Sequence, residues 1–199
     1  MRQYLDAEVD HVCSHISRSD KVLELGCGYG RVLRILADRA AFVVGIDTSM
    51  DSLRDAPILL QSRDNVALAC MDAGHLAFAN ESFNVVVCIQ NGISAFHVDR
   101  LLLMREALRV TVPDGRVLFS SYAESFWDER LKWFELQSTL GLLGPIDYAR
   151  TGAGEIYCTD GFHASTVGPA EFESLMAQLG INGSLVEVDR SSLFCQIVR

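Results

Sequence analysis

Three glycines alternate within the segment 22–31, which reads Val-Leu-Glu-Leu-Gly-Cys-Gly-Tyr-Gly-Arg. Glycine after a short apolar strand permits a turn with positive φ, and it has no Cβ to obstruct a ligand that approaches the backbone. The helix pattern that follows at once would present free N–H groups to an anionic group. Arg31 stands where the dinucleotide fingerprint G-x-G-x-x-G needs its third glycine. Gly26, Gly28 and Gly30 therefore favour a nucleoside-type ligand other than NAD, and the alternative is an ordinary tight turn.

Two carboxylates follow the glycine turn at the ends of later apolar segments. Asp47 stands 17 residues after Gly30, where its carboxylate can accept two hydrogen bonds from ribose hydroxyls. The alternative is that Asp47 caps the next helix. Asp72 can accept a hydrogen bond from the exocyclic amine of a base, and Met71 or Ala73 can flank a flat ring. Taken alone, Asp72 would equally be a solvated acid in a loop.

Hydrophobic periodicity places these residues on alternating strands and helices. We predict strands at 22–25, 42–46, 66–71, 83–89 and 116–121, and helices at 6–17, at 31–39, from about 50, and at 99–110. This alternation predicts an α/β fold with a parallel sheet and helices on both faces. Ligands bind such sheets at the carboxyl ends of the strands. Gly26, Asp47, Asp72 and Gln90 should therefore line one rim.

The connections and the second half of the chain have their own signals. Thr48 or Ser49 is expected to cap the helix that starts near residue 50. We further predict a turn at 113–115 and an aromatic-rich helix at 125–143. A glycine-rich segment is predicted at 141–168, with a short hairpin at 152–154. The last predicted elements are a helix at 171–179 that stops at Gly180 and an antiparallel strand pair at 185–188 and 192–198.

The overall composition predicts one domain. A chain of 199 residues that is 49% hydrophobic can build a single core. A net charge of −9, with Lys21 and Lys132 as the only lysines, disfavours a nucleic-acid partner. The first ten residues mix charges and lack an apolar run, so no signal peptide is expected. No apolar stretch reaches the length of a membrane span, so no membrane partner is expected.

The cysteines and histidines give little reason to expect a metal centre. Six cysteines form no C-x-x-C motif and mostly lie in apolar surroundings, which predicts buried free thiols in a reducing cytoplasm. His11, Cys13 and His15 lie close enough in sequence to consider a metal. No second cluster has ligand spacing, so an amphipathic helix is the favoured interpretation and no metal site is predicted.

Together these features resemble the class I S-adenosylmethionine-dependent methyltransferases. The segments that carry the resemblance are 22–31, 45–49 (Gly-Ile-Asp-Thr-Ser), 71–73 (Met-Asp-Ala) and 83–91 (Phe-Asn-Val-Val-Val-Cys-Ile-Gln-Asn). Their order and spacing are more specific than any one of them. The resemblance implies a Rossmann-like doubly wound sheet of seven strands in the order 3-2-1-4-5-7-6. It further implies that the seventh strand is antiparallel and that residues 1–199 form a single methyltransferase domain.

The resemblance also implies S-adenosylmethionine as cofactor, with S-adenosylhomocysteine as product. Glu24 would help to hold the α-ammonium, directly or through water, Asp47 would bind the ribose, and Asp72 would contact the adenine amine. The residues implied to bind the cofactor are Glu24, Gly26, Cys27, Gly28, Gly30, Asp47, Thr48, Met71, Asp72, Ala73, Gln90 and Asn91. Of these, Gln90 and Asn91 would lie near the amino-acid end of the cofactor and the entrance for the acceptor.

The acceptor is expected to be a small molecule that is methylated on a nucleophilic nitrogen or oxygen. Methyltransferases of bases and glutamine amides resemble one another in an Asn/Asp-Pro-Pro-aromatic motif, whereas this chain reads Gln-Asn-Gly-Ile at 90–93. The segment 123–168, named here the lid segment, is the predicted cover of the acceptor. Its candidate pocket residues are Trp127, Trp133, Tyr148, Tyr157 and His163. The tryptophans would alternatively pack a helix onto the sheet.

A catalytic base is not required by the predicted reaction, and His163 is the one residue considered for that role. Two other functions remain open at this level. One is a non-catalytic scaffold that binds S-adenosylmethionine or a nucleoside, and the other is an enzyme of the aminopropyltransferase type. The sequence gives no prediction of the oligomeric state.

Overall fold

The computed structural model describes residues 2–61 and 63–199. Its strands are β1 Lys21–Leu25, β2 Phe42–Asp47, β3 Val66–Cys70, β4 Phe83–Cys88, β5 Thr111–Tyr122, β6 Ile156–Tyr157, β7 His163–Ala164, β8 Gly183–Val188 and β9 Ser192–Val198. Seven of them form one sheet in the order β3-β2-β1-β4-β5-β9-β8, and β6 and β7 form a separate hairpin. In the large sheet β9 runs antiparallel to both of its neighbours. The predicted order and the reversed last strand are confirmed.

Helices cover both faces of the large sheet. They are α1 Arg2–Cys13, α2 Leu33–Leu36, α3 Met50–Leu60, α4 Gly92–Ala95, α5 Arg100–Val110, α6 Trp127–Thr139 and α7 Pro169–Leu179, with a 3-10 turn at Glu124–Phe126 before α6. Buried side chains of α1, α2 and α3 pack against one face. Those of α4, α5 and α7 pack against the other, which gives the three-layer arrangement predicted from the sequence.

The central strands are buried on both faces, as parallel strands between two helix layers must be. Leu23 of β1 and Phe119 of β5 lie in the core on one face and are fully buried. Val22 and Leu118, next to them in sequence, lie in the core on the opposite face. Each such side chain stabilises the fold by about 1.5–3 kcal/mol. The two cores hold the strands in register, so their carboxyl ends meet at one edge.

Three local predictions before the lid segment differ from the structure. The helix expected at 31–39 is regular only over Leu33–Leu36, because turns that mix i→i−3 and i→i−4 hydrogen bonds flank it. The first helix ends at Cys13 rather than at residue 17. The turn expected at 113–115 lies within β5, where the pairing with β4 shifts register and Asp114 adopts a φ of 61°.

The lid segment has a small core of its own. Four of its buried side chains pack together: Phe134, Ile146, Ile156 and Cys158. The hairpin expected at 152–154 is present as a tight turn closed by pairing of Gly152 with Glu155. The predicted helix at 125–143 is shorter, because a 3-10 turn precedes α6 and regular helix ends at Thr139.

Candidate functional site

A cavity of about 250 Å³ lies at the carboxyl ends of β1, β2 and β3. Six predicted cofactor residues line it: Gly26, Asp47, Thr48, Met71, Asp72 and Ala73. The remaining wall is the segment 95–98, which follows α4 and carries Phe96. Sequence reasoning missed this segment, since its position depends on how the chain folds back after α4.

Asp47 connects the ends of β1 and β2. Its Oδ2 accepts a hydrogen bond of 2.8 Å from the N–H of Gly28, and its Oδ1 accepts one of 2.8 Å from the N–H of Ser49. The side chain that caps α3 is that of Ser49, which accepts a hydrogen bond from the N–H of Ser52. Asp47 therefore fixes the glycine loop, and each carboxylate oxygen retains a lone pair that can face a ligand.

Gly26 and Gly28 are glycines for different structural reasons. Gly26 has a φ of 75°, and a Cβ there would lie 2.3 Å from the Phe96 ring, so its missing side chain makes room for Phe96. Gly28 has a φ of 52°, and a Cβ there would meet no atom within 4 Å. The open side of the loop is therefore at Gly28, where a ligand can approach the backbone. Because α2 is so short, a helix dipole adds little at this place.

Asp72 keeps an ionised carboxylate at the far end of the cavity. It accepts hydrogen bonds from the N–H of Gly74 at 2.8 Å and from His75 Nδ1 at 3.0 Å. These two hydrogen bonds hold the pKa of Asp72 below its usual value, and the bond from the Gly74 N–H has the larger effect. The adjacent Met71 and Ala73 also line the cavity, so an ionised acceptor stands beside two apolar groups.

Glu24 lies below the glycine loop and is only 4% exposed. Its Oε2 is buried and has no hydrogen-bond partner in the described part of the chain. Burial raises the pKa of Glu24 to about 8, although the Arg31 charge opposes the rise. A buried carboxyl with an unpaired oxygen is costly unless a cation or donor approaches it. Burial likewise raises the pKa of the neighbouring Cys27 thiol, which stays neutral.

Gln90 and Asn91 form a corner after β4 in which both residues have a positive φ. The Asn91 amide makes two hydrogen bonds: its Oδ1 accepts from Ser121 Oγ at 2.8 Å, and its Nδ2 donates to the Ser165 carbonyl at 2.9 Å. Ser121 Oγ in turn accepts from the N–H of Val167. Asn91 therefore ties the end of β4 to the end of the lid segment.

A second cavity, of about 630 Å³, lies at the end of β5 under the lid segment. Its lining residues are Tyr122, Ala123, Glu124, Trp127, Arg130, Ala153, Gly154, Glu155, Thr166, Gly168, Pro169, Glu171, Glu187 and Leu193. Of the five pocket candidates named from the sequence, Trp127 is in this set. Trp133 and Tyr148 are exposed on the outside, and Tyr157 stacks on His163.

His163 and Arg130 are held at the second cavity by bonds to other residues of the lid segment. His163 pairs with Glu155, and it is Glu155 rather than the imidazole that lines the cavity. Arg130 is 1% exposed, lies over the Tyr122 ring at 4.7 Å from the ring centre, and donates to the Gly154 carbonyl at 2.7 Å. It also donates to the carbonyls of residues 164 and 165. Sequence reasoning missed Arg130, because a single arginine in a helix pattern carries no signal of burial.

The sequence also led to predictions about metal sites, membrane spans and cysteines. Within residues 2–61 and 63–199, no group of three His, Cys, Asp or Glu side chains is arranged to hold a metal ion. The helices of that part of the chain are all too short or too polar to cross a membrane. The six cysteines are free thiols; Cys27, Cys88, Cys158 and Cys195 are buried, whereas Cys70 is exposed, contrary to expectation.

Comparison with known proteins agrees with this arrangement. Residues 22–115 match the family model of a methyltransferase domain. Over 119 residues, 57% of the chain and 49% of the relative, the chain is 34% identical to a ubiquinone biosynthesis O-methyltransferase of Neisseria meningitidis. The chain spans about half or less of the length of the curated relatives it matches.

Solved structures extend the likeness of fold to nearly the whole chain. A protein from Pyrococcus horikoshii matches 99% of this chain and 90% of its own with a TM-score of 0.72 at 23% identity. A Burkholderia thailandensis 1,6-didemethyltoxoflavin-N1-methyltransferase, solved with its substrate and S-adenosylhomocysteine, matches 98% of this chain and 78% of its own. Its TM-score is 0.70 at 14% identity. At such identities these two likenesses concern the fold alone.

Proposed function

We propose that this chain, whose residues 22–115 belong to the class I S-adenosylmethionine-dependent methyltransferase family, transfers a methyl group to a nucleophilic nitrogen or oxygen of a small molecule. The observation that carries the proposal is the first cavity. Residues from three separate strand ends, Gly26, Asp47 and Asp72, converge on one space in the order that the cofactor of this family requires.

The residues present fit S-adenosylmethionine. When bound, the cofactor supplies a methyl group on a sulfonium, which is a strong leaving group. Asp47 would accept hydrogen bonds from the ribose hydroxyls, and Asp72 would accept one from the adenine amine between Met71 and Ala73. The unpaired oxygen of buried Glu24 would accept a hydrogen bond from the α-ammonium. This bond would offset the free-energy cost of burying that oxygen without a partner.

The second cavity is the proposed acceptor site. It adjoins the end of β5, next to the strand whose end carries Gln90 and Asn91, so it lies beside the amino-acid end of the cofactor site. Its volume is within the range of small-molecule pockets, roughly 300–1,000 Å³. Tyr122 and Trp127 offer aromatic surface, and Glu155, paired with His163, offers a hydrogen-bond acceptor. Positioning of the acceptor in this cavity would supply much of the rate enhancement.

The proposal is tested by titration calorimetry with S-adenosylmethionine and S-adenosylhomocysteine. The wild-type protein should bind both, and Asp47→Ala should weaken binding by about 1–3 kcal/mol, the cost of unpaired polar groups. Asp55→Ala, which removes an exposed carboxylate on α3, is the control and should bind normally. Equal dissociation constants for Asp47→Ala and the wild type would show that Asp47 is not the ribose ligand.

Turnover distinguishes methyl transfer from the other uses of such a site. The wild-type protein with S-adenosylmethionine and a panel of small phenols, carboxylates and amines should methylate at least one compound. Binding without turnover would favour a scaffold. Tighter binding of decarboxylated S-adenosylmethionine than of S-adenosylmethionine would favour aminopropyl transfer. Failure of the folded protein to bind any of these ligands would refute the proposal.

A further inference from the structure

Glu8 is a fully buried carboxyl on the helix α1, which covers the sheet beside the proposed site. Its Oε2 accepts a hydrogen bond of 2.8 Å from the N–H of Gln90, the first residue of the corner after β4. Its Oε1 is buried and has no hydrogen bond of good geometry in the described part of the chain, although the hydroxyls of Tyr4, Ser120 and Ser192 lie near the carboxyl. An acid at such a position breaks the apolar stripe of α1, which Val9 and Val12 otherwise continue.

Glu8 and Glu24 form a pair of buried carboxyls without cationic partners. Neither makes an ion pair in residues 2–61 and 63–199. Both charges act on the thiol of Cys88 in β4 and help to raise its pKa, although burial contributes most. The two carboxyls therefore lie around the end of β4. A buried, unpaired carboxylate is expensive, and a positively charged ligand nearby would offset that cost.

The position of Glu8 separates its role from that of Glu24. Glu24 stands on β1 beneath the glycine loop, whereas Glu8 bonds to the residue that follows β4. On the next strand, Tyr122 lines the acceptor cavity, and its ring stacks on Tyr4 with 5.0 Å between ring centres. Glu8 thus lies at the end of β4, which is flanked in the sheet by β1, the strand before the glycine loop, and by β5, the strand that ends at the acceptor cavity.

We propose that Glu8 is a specificity residue that favours the positively charged sulfonium form of the cofactor over the neutral thioether product. The inference rests on the proposed function. Glu8 acts through space across a dry interior, where a charge is screened far less than in water. The α-ammonium next to Glu24 is present in both cofactor and product, so Glu24 does not distinguish them. A carboxyl that responds to the sulfonium alone would promote release of the product after transfer.

The main test measures the dissociation constants of S-adenosylmethionine and S-adenosylhomocysteine with Glu8→Gln. The amide still accepts a hydrogen bond from the N–H of Gln90 but carries no charge. We expect the dissociation constant of S-adenosylmethionine to rise about tenfold and that of S-adenosylhomocysteine less than about twofold. Asp10→Asn, an exposed carboxylate on the same helix, is the matched control and should change neither value. An equal loss for both ligands, or none for either, would overturn the inference.

A second measurement needs no variant, so it holds even if Glu8→Gln folds poorly. The titratable groups that face Glu8 are Tyr4 on α1, Cys88 on β4 and Tyr122 on β5, and none of them is a cation. Burial raises the pKa of Glu8, although the nearby Ser120 and Ser192 hydroxyls and the Gln90 N–H oppose the rise, and the carboxyl gains its charge as pH increases through that pKa. The wild-type preference for S-adenosylmethionine over S-adenosylhomocysteine should therefore increase with pH. A constant preference would contradict the inference, and failure to bind either ligand would refute the proposed function itself.

Discussion

The two cavities of this molecule are built in different ways. The first is made mostly by residues at the ends of β1, β2 and β3, which reach the rim through the register of one sheet, and the segment 95–98 completes its wall. The second is made by the lid segment, whose parts are held together by contacts between residues far apart in sequence. Arg130 bonds to the carbonyls of Gly154 and Ser165, and Asn91 bonds to Ser165 across 74 positions.

The difference shows which part of a site can vary. The rim depends on strands whose two cores cannot change without loss of the fold. The lid segment has a small separate core and reaches the rim mainly through polar bonds. Such a unit can open or change its lining with little effect on the sheet. The proposed cofactor site and the proposed acceptor site therefore lie in regions that are held in place by different kinds of contact.

We expect the largest loss of stability for Arg130→Met, which acts on the lid segment. Loss of the buried guanidinium removes its hydrogen bonds to the Gly154 and Ala164 carbonyls and leaves Asn91 as donor to the Ser165 carbonyl, so the free energy of local opening of residues 123–168 should fall by about 3–5 kcal/mol. Amide hydrogen exchange followed by mass spectrometry should show faster exchange in that segment alone. Lys132→Met, an exposed change on the same helix, is the control. Equally faster exchange in β1 and β4 would show that the two regions are not independent.

A smaller effect, at the rim, is expected for the glycine loop. Gly26→Ala combines a strained φ of 75° with a clash of 2.3 Å against Phe96, and it should lower the free energy of unfolding by about 2–4 kcal/mol. Gly28→Ala adds a methyl group in open space and should cost only about 1 kcal/mol while still weakening cofactor binding. Urea unfolding and calorimetry measure the two effects. A larger loss of stability for Gly28→Ala would contradict the assigned reasons.

For each unit of pH, the smallest effect is expected from the ionisation of Glu24 below the glycine loop. Because the pKa of Glu24 is raised to about 8, the folded protein retains a proton that the unfolded chain releases above its ordinary pKa. The free energy of unfolding of the ligand-free protein should therefore decrease as pH rises from about 5 to 8. Glu24→Gln should reduce this decrease by about 1.4 kcal/mol for each pH unit within this range, as measured by urea unfolding at a series of pH values. An unchanged pH dependence in the variant would show that Glu24 is not the buried group that titrates.

Much of the rim was predictable because strand ends are local features. The apolar segments before Gly26 and before Asp47 each predict a buried strand. Parallel strands bring their carboxyl ends to one edge of the sheet. The order of the large sheet followed from the resemblance, and the structure confirms it. The lengths of α1 and α2 did not follow, since helix ends depend on turns that periodicity does not record.

The amino-acid sequence was enough to predict the class of fold, the edge of the sheet that carries the site, and the residues Gly26, Asp47 and Asp72 that meet there. Only the tertiary structure decided why Gly26 must lack a side chain, that Asn91 is engaged with the lid segment, and that Glu8 and Arg130 are buried charges. The physical reason is the range of the interactions involved. Periodicity and turn chemistry act over a few residues, whereas burial of a charge depends on elements that meet only when the chain has folded.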